Sequence, residues 1–330
     1  MKGRTLVLGA ASLAAAALLL AGLVRFGSVD GAALATTLAH ARPEGVLAIG
    51  LLAGLLAYLS AERWRMIERQ AGAHAPPSRL RAFGLTAIGV ALGQALPVQL
   101  ATVVSRAIGS RALHPPASPR PVIVTLYEQG FDVAVALVLA CDTGAYFALG
   151  RRVSWWLLAA PSLVVGLAAA GLFAHLLHRF CQAEAPRGRL RAWLAGLSEA
   201  NLFAPRLARR LMLIAVVRFC LTALMAGLTS WTTGLAAPLD HLFIALPLVV
   251  VATAAPLTPA GLGINEWTYA AVLTWLGASI ALATQWALVN RVLVFACSLV
   301  IGLSAVPALA LDAALRRARA RWVQVDQPEP

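Results

Sequence analysis

The sequence predicts an all-α, polytopic membrane protein, with about six full spans and two re-entrant helical hairpins related as an inverted repeat. Three observations lead there. Of the 330 residues, 60% are hydrophobic and 12% charged, and the mean hydropathy is +0.78; soluble domains carry about 25% charged residues. Apolar runs of about the length that crosses a hydrocarbon core recur along the chain, separated by arginine-rich connections. Two of the apolar stretches are interrupted by proline and glycine, one at Pro97 and one across PLTPAGLGINEW (Pro256–Trp267). Proline removes a backbone donor and clashes with the preceding turn, so no ordinary helix continues through these points.

The first span is Leu6–Val24, preceded by Lys2 and Arg4. Its alanine-rich end resembles a signal-peptide cleavage region, but the run is longer than a usual h-region and is read as a retained span. A segment with Arg25, Asp30 and Arg42 leads to the run Gly45–Leu59, in which Gly50 and Gly54 have the spacing of close helix packing. AERWRMIERQ then reads as a basic loop, with Trp64 as an interfacial ring. Ala82–Leu96 is short and stops at Pro97. If it crossed fully, and Pro121–Ala140 and Trp155–Leu177 crossed after it, the arginine-rich segment 177–210 would lie outside, against the positive-inside rule. A hairpin from Ala82 to about Leu113 that returns to the inner face removes the conflict. Of the 27 basic residues, only Arg25, Arg42, Arg151 and Arg152 then lie outside, and only Arg218 and Arg291 within spans.

The span from Pro121 carries Glu128 and Asp132, four residues apart and on one helical face. Ionisable groups at this depth are either functional or held by an arginine for structural reasons. After Trp155–Leu177, the segment RGRLRAWLAGLSEANLF sets Leu190, Trp193, Leu194 and Leu197 along one helix side. It lies either on the inner head groups or on the protein's own loops. Leu211–Thr233 is the next span, and its Arg218 either snorkels or holds a phosphate or carboxylate. Leu242–Pro256 and Trp267–Gly277 are the legs of a second hairpin, entering from outside. The final run Ala281–Leu311 contains Arg291, and Pro307 bends or ends it. The membrane domain thus covers residues 1–315, and 316–330 is a basic cytoplasmic tail whose end, VDQPEP, reads as disordered.

The units 45–140 and 211–311 each read as span, hairpin, span, in opposite orientation, which is the architecture of many secondary transporters. A break at bilayer depth is tolerated only where protein or a wet cavity satisfies the freed backbone, whereas a surface loop joining two spans is the plainer reading of the same residues. Asn265 is a candidate N-cap for a helix resuming at Glu266, and a helix start suits an anion. The polar groups that would converge are Gln94, Pro97 and Arg106 from the first hairpin, Glu128 and Asp132, Pro259, Gly261, Gly263, Asn265 and Glu266 from the second, and Arg218 and Arg291 from spans. The net charge of +13 is spread between the apolar runs rather than gathered in one basic domain. This argues against nucleic acid as a partner, and the arginine-rich loops read first as orientation signals and second as contacts to anionic head groups. Cys141, Cys181, Cys220 and Cys297 lie far apart, with no CxxC and no histidine at ligand spacing, so no metal, disulfide framework or cofactor is called for. Gly50-x-x-x-Gly54 and Gly89-x-x-x-Gly93 allow close packing either within the chain or between copies, as in a homo-oligomer.

TPAGLGINEW, with Asn290-Arg291 downstream, resembles the proline, glycine-glycine-x-glycine and glutamate signature of the lysylphosphatidylglycerol synthase transmembrane-region family. This flippase-like family includes the membrane half of multiple peptide resistance factors. LPVQLATVVSR resembles its first-hairpin motif, and YEQGFD its glutamate-arginine-x-x-aspartate motif. Ala260 stands for the first glycine, Gln129 for the arginine, and Val98–Thr102 lack the usual glycine and acidic residue. The resemblance implies roles for Pro97, Arg106, Glu128, Asp132, Pro259, Gly261, Gly263, Glu266 and Arg291. It also implies movement across the bacterial inner membrane of a lipid with a polar head, such as an aminoacylated phosphatidylglycerol, a polyprenyl-phosphate sugar or a hopanoid-like lipid, the head group expected being anionic or aminoacylated; charge parity places both termini in the cytoplasm. No soluble acyl-transfer domain follows Leu311, so a complete aminoacyl-lipid synthase is not expected; the first expectation is a lipid translocator that is not an enzyme. An intramembrane lipid-modifying enzyme using Glu128 or Glu266 as base, and a non-catalytic scaffold, are the alternatives.

Overall fold

The computed structural model describes residues 2–71, 76–94, 96, 98–110, 120–183, 202–254 and 258–325. Among these it is built from helices: α1 (Lys2–Phe26), α2 (Gly31–Ala39), α3 (Pro43–Gln70), α4 (Arg79–Leu92), α5 (Val98–Ser110), α6 (Arg120–Ala148), α7 (Trp155–Ala183), α8 (Pro205–Thr233), α9 (Leu239–Ala254), a 3-10 turn (Pro259–Gly261), α10 (Ile264–Trp275) and α11 (Ile280–Val325). Segments of α3, α6, α7, α8 and α11 are long and apolar enough to cross a membrane, and the pair Leu13–Phe26 and Gly31–Ala39, bent by 92°, makes a sixth if it is one span. Large apolar side chains such as Leu51, Val165, Leu172 and Leu303 are exposed. That is the arrangement of a chain whose outer solvent is hydrocarbon rather than water.

Three expectations are corrected or narrowed. AERWRMIERQ is the last part of α3 and not a loop; Trp64 is fully buried within it rather than interfacial. Its polar residues continue a buried face set by Ala57, Ala61, Trp64 and Glu68, at the three- and four-residue spacing of one helix side. Of the two outcomes expected at Pro307, bending or ending, the second is excluded, because the last helix runs on to Val325; proline inside a membrane helix is tolerated where neighbouring groups satisfy the freed backbone. The helix cap in the broken stretch is Gly263, not Asn265. The segment before Gly45, unassigned in the sequence, contains α2, whose start is capped by Asp30 accepting from Ala32 N–H at 3.0 Å. Most of the amphipathic segment 187–203, and residues 326–330 of the polar end, lie outside the described residues.

Both interrupted stretches fold back on themselves. A Cβ on Gly89 in α4 would meet Ser105 and the Ala101 carbonyl in α5, pairs centred on the break at 93–97, and a Cβ on Gly261 would meet Thr253 of α9. The packing pairs recur with partners exchanged: α3 lies on α8, α4 packs on α11 as α9 packs on α6, and α4 pairs with α5 as α9 does with α10. Gly50 and Gly54 face Cys297 and Ile301 of α11, so that small-residue pair is used within the chain. A core around Leu139, Trp155, Phe219, Leu242, Tyr269 and Trp286 ties the second hairpin to α6, α7, α8 and α11. At its tip Trp267 Nε1 donates to the Leu19 carbonyl at 2.8 Å, which docks α1.

Candidate functional site

A cavity of about 740 Å³ opens between the two hairpins, walled by α3, α4, α5, α6, α8 and α9 and by the tip of the second hairpin. Its centre is a cluster of three guanidinium groups and two carboxylates. Arg63, fully buried, holds both acids: Nε and Nη2 donate to Glu128 Oε1 at 3.2 and 3.0 Å, and Nη1 and Nη2 donate to the two Asp132 oxygens at 2.7 Å each. Arg106 Nη1 donates to Glu128 Oε2 and Arg218 Nη1 to Asp132 Oδ2. Ser60 Oγ completes Glu128 with a bond of 2.9 Å to Oε1.

This arrangement follows from helix periodicity. Glu128 and Asp132 are one turn apart on α6 and face the end of α3, where Ser60 and Arg63 share a side. The guanidinium fork spans both carboxylates because it is planar and offers five donors. Arg106 is carried in by α5, its guanidinium carbon 5.4 Å from the centre of the Trp64 ring, a cation–π distance.

The cluster is not self-neutral, since three cations face two anions. Among the described residues Arg106 Nε and Nη2 and Arg218 Nε are buried without a hydrogen-bond partner, as are Asn265 Oδ1 and Thr258 Oγ1 on the opposite wall. Buried donors without acceptors are costly, and here the donors border a space large enough for a ligand.

Glu266 and Arg291 form a second, smaller arrangement that is not part of the cavity wall. Glu266 Oε2 accepts from the Gly263 N–H at 2.6 Å, closing the first turn of α10, and its Oε1 lies 3.5 Å from Arg291 Nε. Arg291 Nη1 donates to the Ala260 carbonyl at 3.2 Å. Ala260 N–H donates in turn to the Leu96 carbonyl at 3.3 Å, so the tips of the two hairpins touch. Ala260 has φ +51°, Gly261 φ +67° and Gly263 φ +83°, the left-handed region that favours glycine.

Of the residues the sequence singled out, Arg106, Glu128, Asp132, Arg218, Gly261 and Asn265 line the cavity. Pro259 starts the turn at the tip. Gly263, Glu266 and Arg291 shape that tip. Gln94 donates to the Val90 carbonyl at 3.4 Å and is not on the cavity wall. Pro97 lies outside the described residues. The residue that sequence reasoning missed is Arg63. The signal available was its place three residues after Ser60 and one before Trp64, on a helical continuation of the preceding span, but the charged composition of AERWRMIERQ masked it. Gln129, Thr86 and Thr102 also reach the cavity.

A long-helix membrane protein with two broken hairpins meeting beside a buried arginine–carboxylate cluster defines a class of membrane domain. The chain belongs to the lysylphosphatidylglycerol synthase TM region family, whose model matches residues 7–302. No curated protein sequence matches it.

Proposed function

We propose that the protein is a flippase-like lipid translocator that moves a lipid with an anionic head across the bacterial inner membrane, with both termini cytoplasmic. The two broken helix pairs are read as re-entrant hairpins of an inverted repeat, a reading supported by the exchanged packing pairs and by charge parity. The observation that carries the proposal is the surplus cation: three guanidinium groups against two carboxylates, with unpartnered donors on Arg106 and Arg218 bordering a 740 Å³ cavity. Moving a charged head through hydrocarbon is expensive. A phosphodiester entering this cavity replaces its hydration by fixed donors and satisfies the arginines at the same time.

The translocator reading is preferred to a lipid-modifying enzyme because the acids at the cavity are already committed. Glu128 and Asp132 are each held by two guanidinium groups, and Glu266, which caps α10 through Oε2 and faces Arg291 through Oε1, is not on the cavity wall, which leaves no free carboxylate of the three at the cavity as a general base. The membership in a family of lipid-related membrane domains agrees with a lipid substrate.

The test is leaflet exchange of fluorescent phosphatidylglycerol in vesicles containing the purified protein. Wild type accelerates exchange and Arg218→Gln, folded by its melting profile, does not. Exchange in the variant equal to that of wild type contradicts the proposal, and conversion of the lipid to a new product without exchange supports the enzyme instead.

A further inference from the structure

A second cavity, of about 570 Å³ and almost wholly apolar, lies between α6, α7 and α8. It shares one wall with the charged cavity: Leu126, Gly130 and Ala134 of α6 line both. These residues are four apart, so they form a straight ridge along one helix side, about 12 Å long. Their middle member has no side chain. Among the described residues nothing lies within 4 Å of a Cβ built on Gly130, which makes that glycine a low saddle between the two spaces. On one side of the saddle stand Glu128 and Asp132, with their arginines. On the other the groove runs past Phe131, Phe173 and Met212, and the exposure of Phe173 and Leu126 leaves it open to surrounding hydrocarbon.

The geometry points to a bipartite lipid site in which one molecule straddles Gly130, its phosphodiester in the arginine cluster and one hydrocarbon chain in the α6–α7–α8 groove. The inference deepens the translocator reading and rests on it for the head group. The occupant of the groove follows from continuity: a chain held there is joined over the saddle to a head that the surplus cation attracts, whereas a free phosphate or a soluble anion leaves the groove unused. The saddle also assigns a role to Gly130, since a Cβ added there enters open space in the passage and meets no described protein atom within 4 Å.

The experiment uses full-length protein in phosphatidylcholine vesicles doped with a phosphatidylglycerol carrying a photoreactive diazirine in one acyl chain, with labelled peptides identified by mass spectrometry. The expected result is labelling at Phe131, Phe173 and Met212 that exceeds labelling by the matching phosphatidylcholine probe. That excess is lost in Gly130→Phe at the saddle and, independently, in Ala170→Phe, which lines the groove alone; both variants melt as wild type, and Ala170→Phe still binds glycerophosphoglycerol, the head without chains. Equal labelling by the two probes, or labelling undiminished in both variants, means that bulk lipid fills the groove and overturns the inference. The two readings fail separately. Selective, saddle-dependent labelling in vesicles that show no leaflet exchange removes the translocator and keeps the site; exchange with unselective labelling removes the site and keeps the translocator.

Discussion

The two broken-helix units use their charges for different ends. In the first, Arg63, Arg106, Glu128 and Asp132, joined by Arg218 from α8, make side chain to side chain bonds around open space. In the second, Glu266 and Arg291 bond mainly to backbone, at Gly263 N–H and the Ala260 carbonyl. The first arrangement leaves donors facing a cavity; the second braces the turn through Ala260, Gly261 and Gly263, and its own unpartnered atoms, Glu266 Oε1 and Arg291 Nε and Nη2, belong to residues that are not on the cavity wall. The same residue types therefore serve a cavity-facing half and a framework half. A glutamate and an arginine that stand out in and near a broken helix need not line the cavity.

The contrast can be broken by substitution. The largest effect is expected for Arg63→Leu, which strips a shared partner from two buried carboxylates and costs about 3–5 kcal/mol; the drop in melting temperature in detergent checks it, and Arg63→Lys fails to restore it because an ammonium cannot span both acids. Gly263→Ala comes next, at about 1–3 kcal/mol, since φ is +83° and the added methyl meets Leu19; faster proteolysis near α1 reports the lost docking. Glu266→Gln keeps an oxygen for the Gly263 N–H and loses the charge beside Arg291, so about 1 kcal/mol of destabilisation is expected on thermal melting. An effect as large as that of Arg63→Leu would erase the distinction between the halves. Smallest and opposite in sign, Ala260→Gly relieves φ +51° and raises stability by less than about 1 kcal/mol, the gain being offset by greater freedom of the unfolded chain.

Hydropathy and the placement of proline and glycine made the long helices and both breaks legible, because bilayer thickness and proline geometry act on short, local stretches of sequence. The paired acids Glu128 and Asp132 were legible for the same reason, four residues apart in an apolar run. The role of Arg63 was not: its partners lie more than sixty positions away on α6, and a polar decapeptide after an apolar run looks the same whether it leaves the helix or continues it. Asn265 was misjudged as the cap because Asn favours that place locally, while the left-handed turn through Gly261 and Gly263 starts α10 two residues earlier. Ala260, where the resemblance leads one to expect glycine, has a positive φ of +51°, the conformation that glycine adopts most readily.

The central claim is that a surplus of buried guanidinium charge selects the head group. It is tested most directly by the ratio of leaflet-exchange rates for phosphatidylglycerol and phosphatidylcholine in the same vesicles, comparing wild type with Arg106→Gln. The account predicts a ratio above one that falls towards one in the variant, where three cations become two against two acids. A ratio of one in wild type, or one unchanged by the substitution, would contradict it.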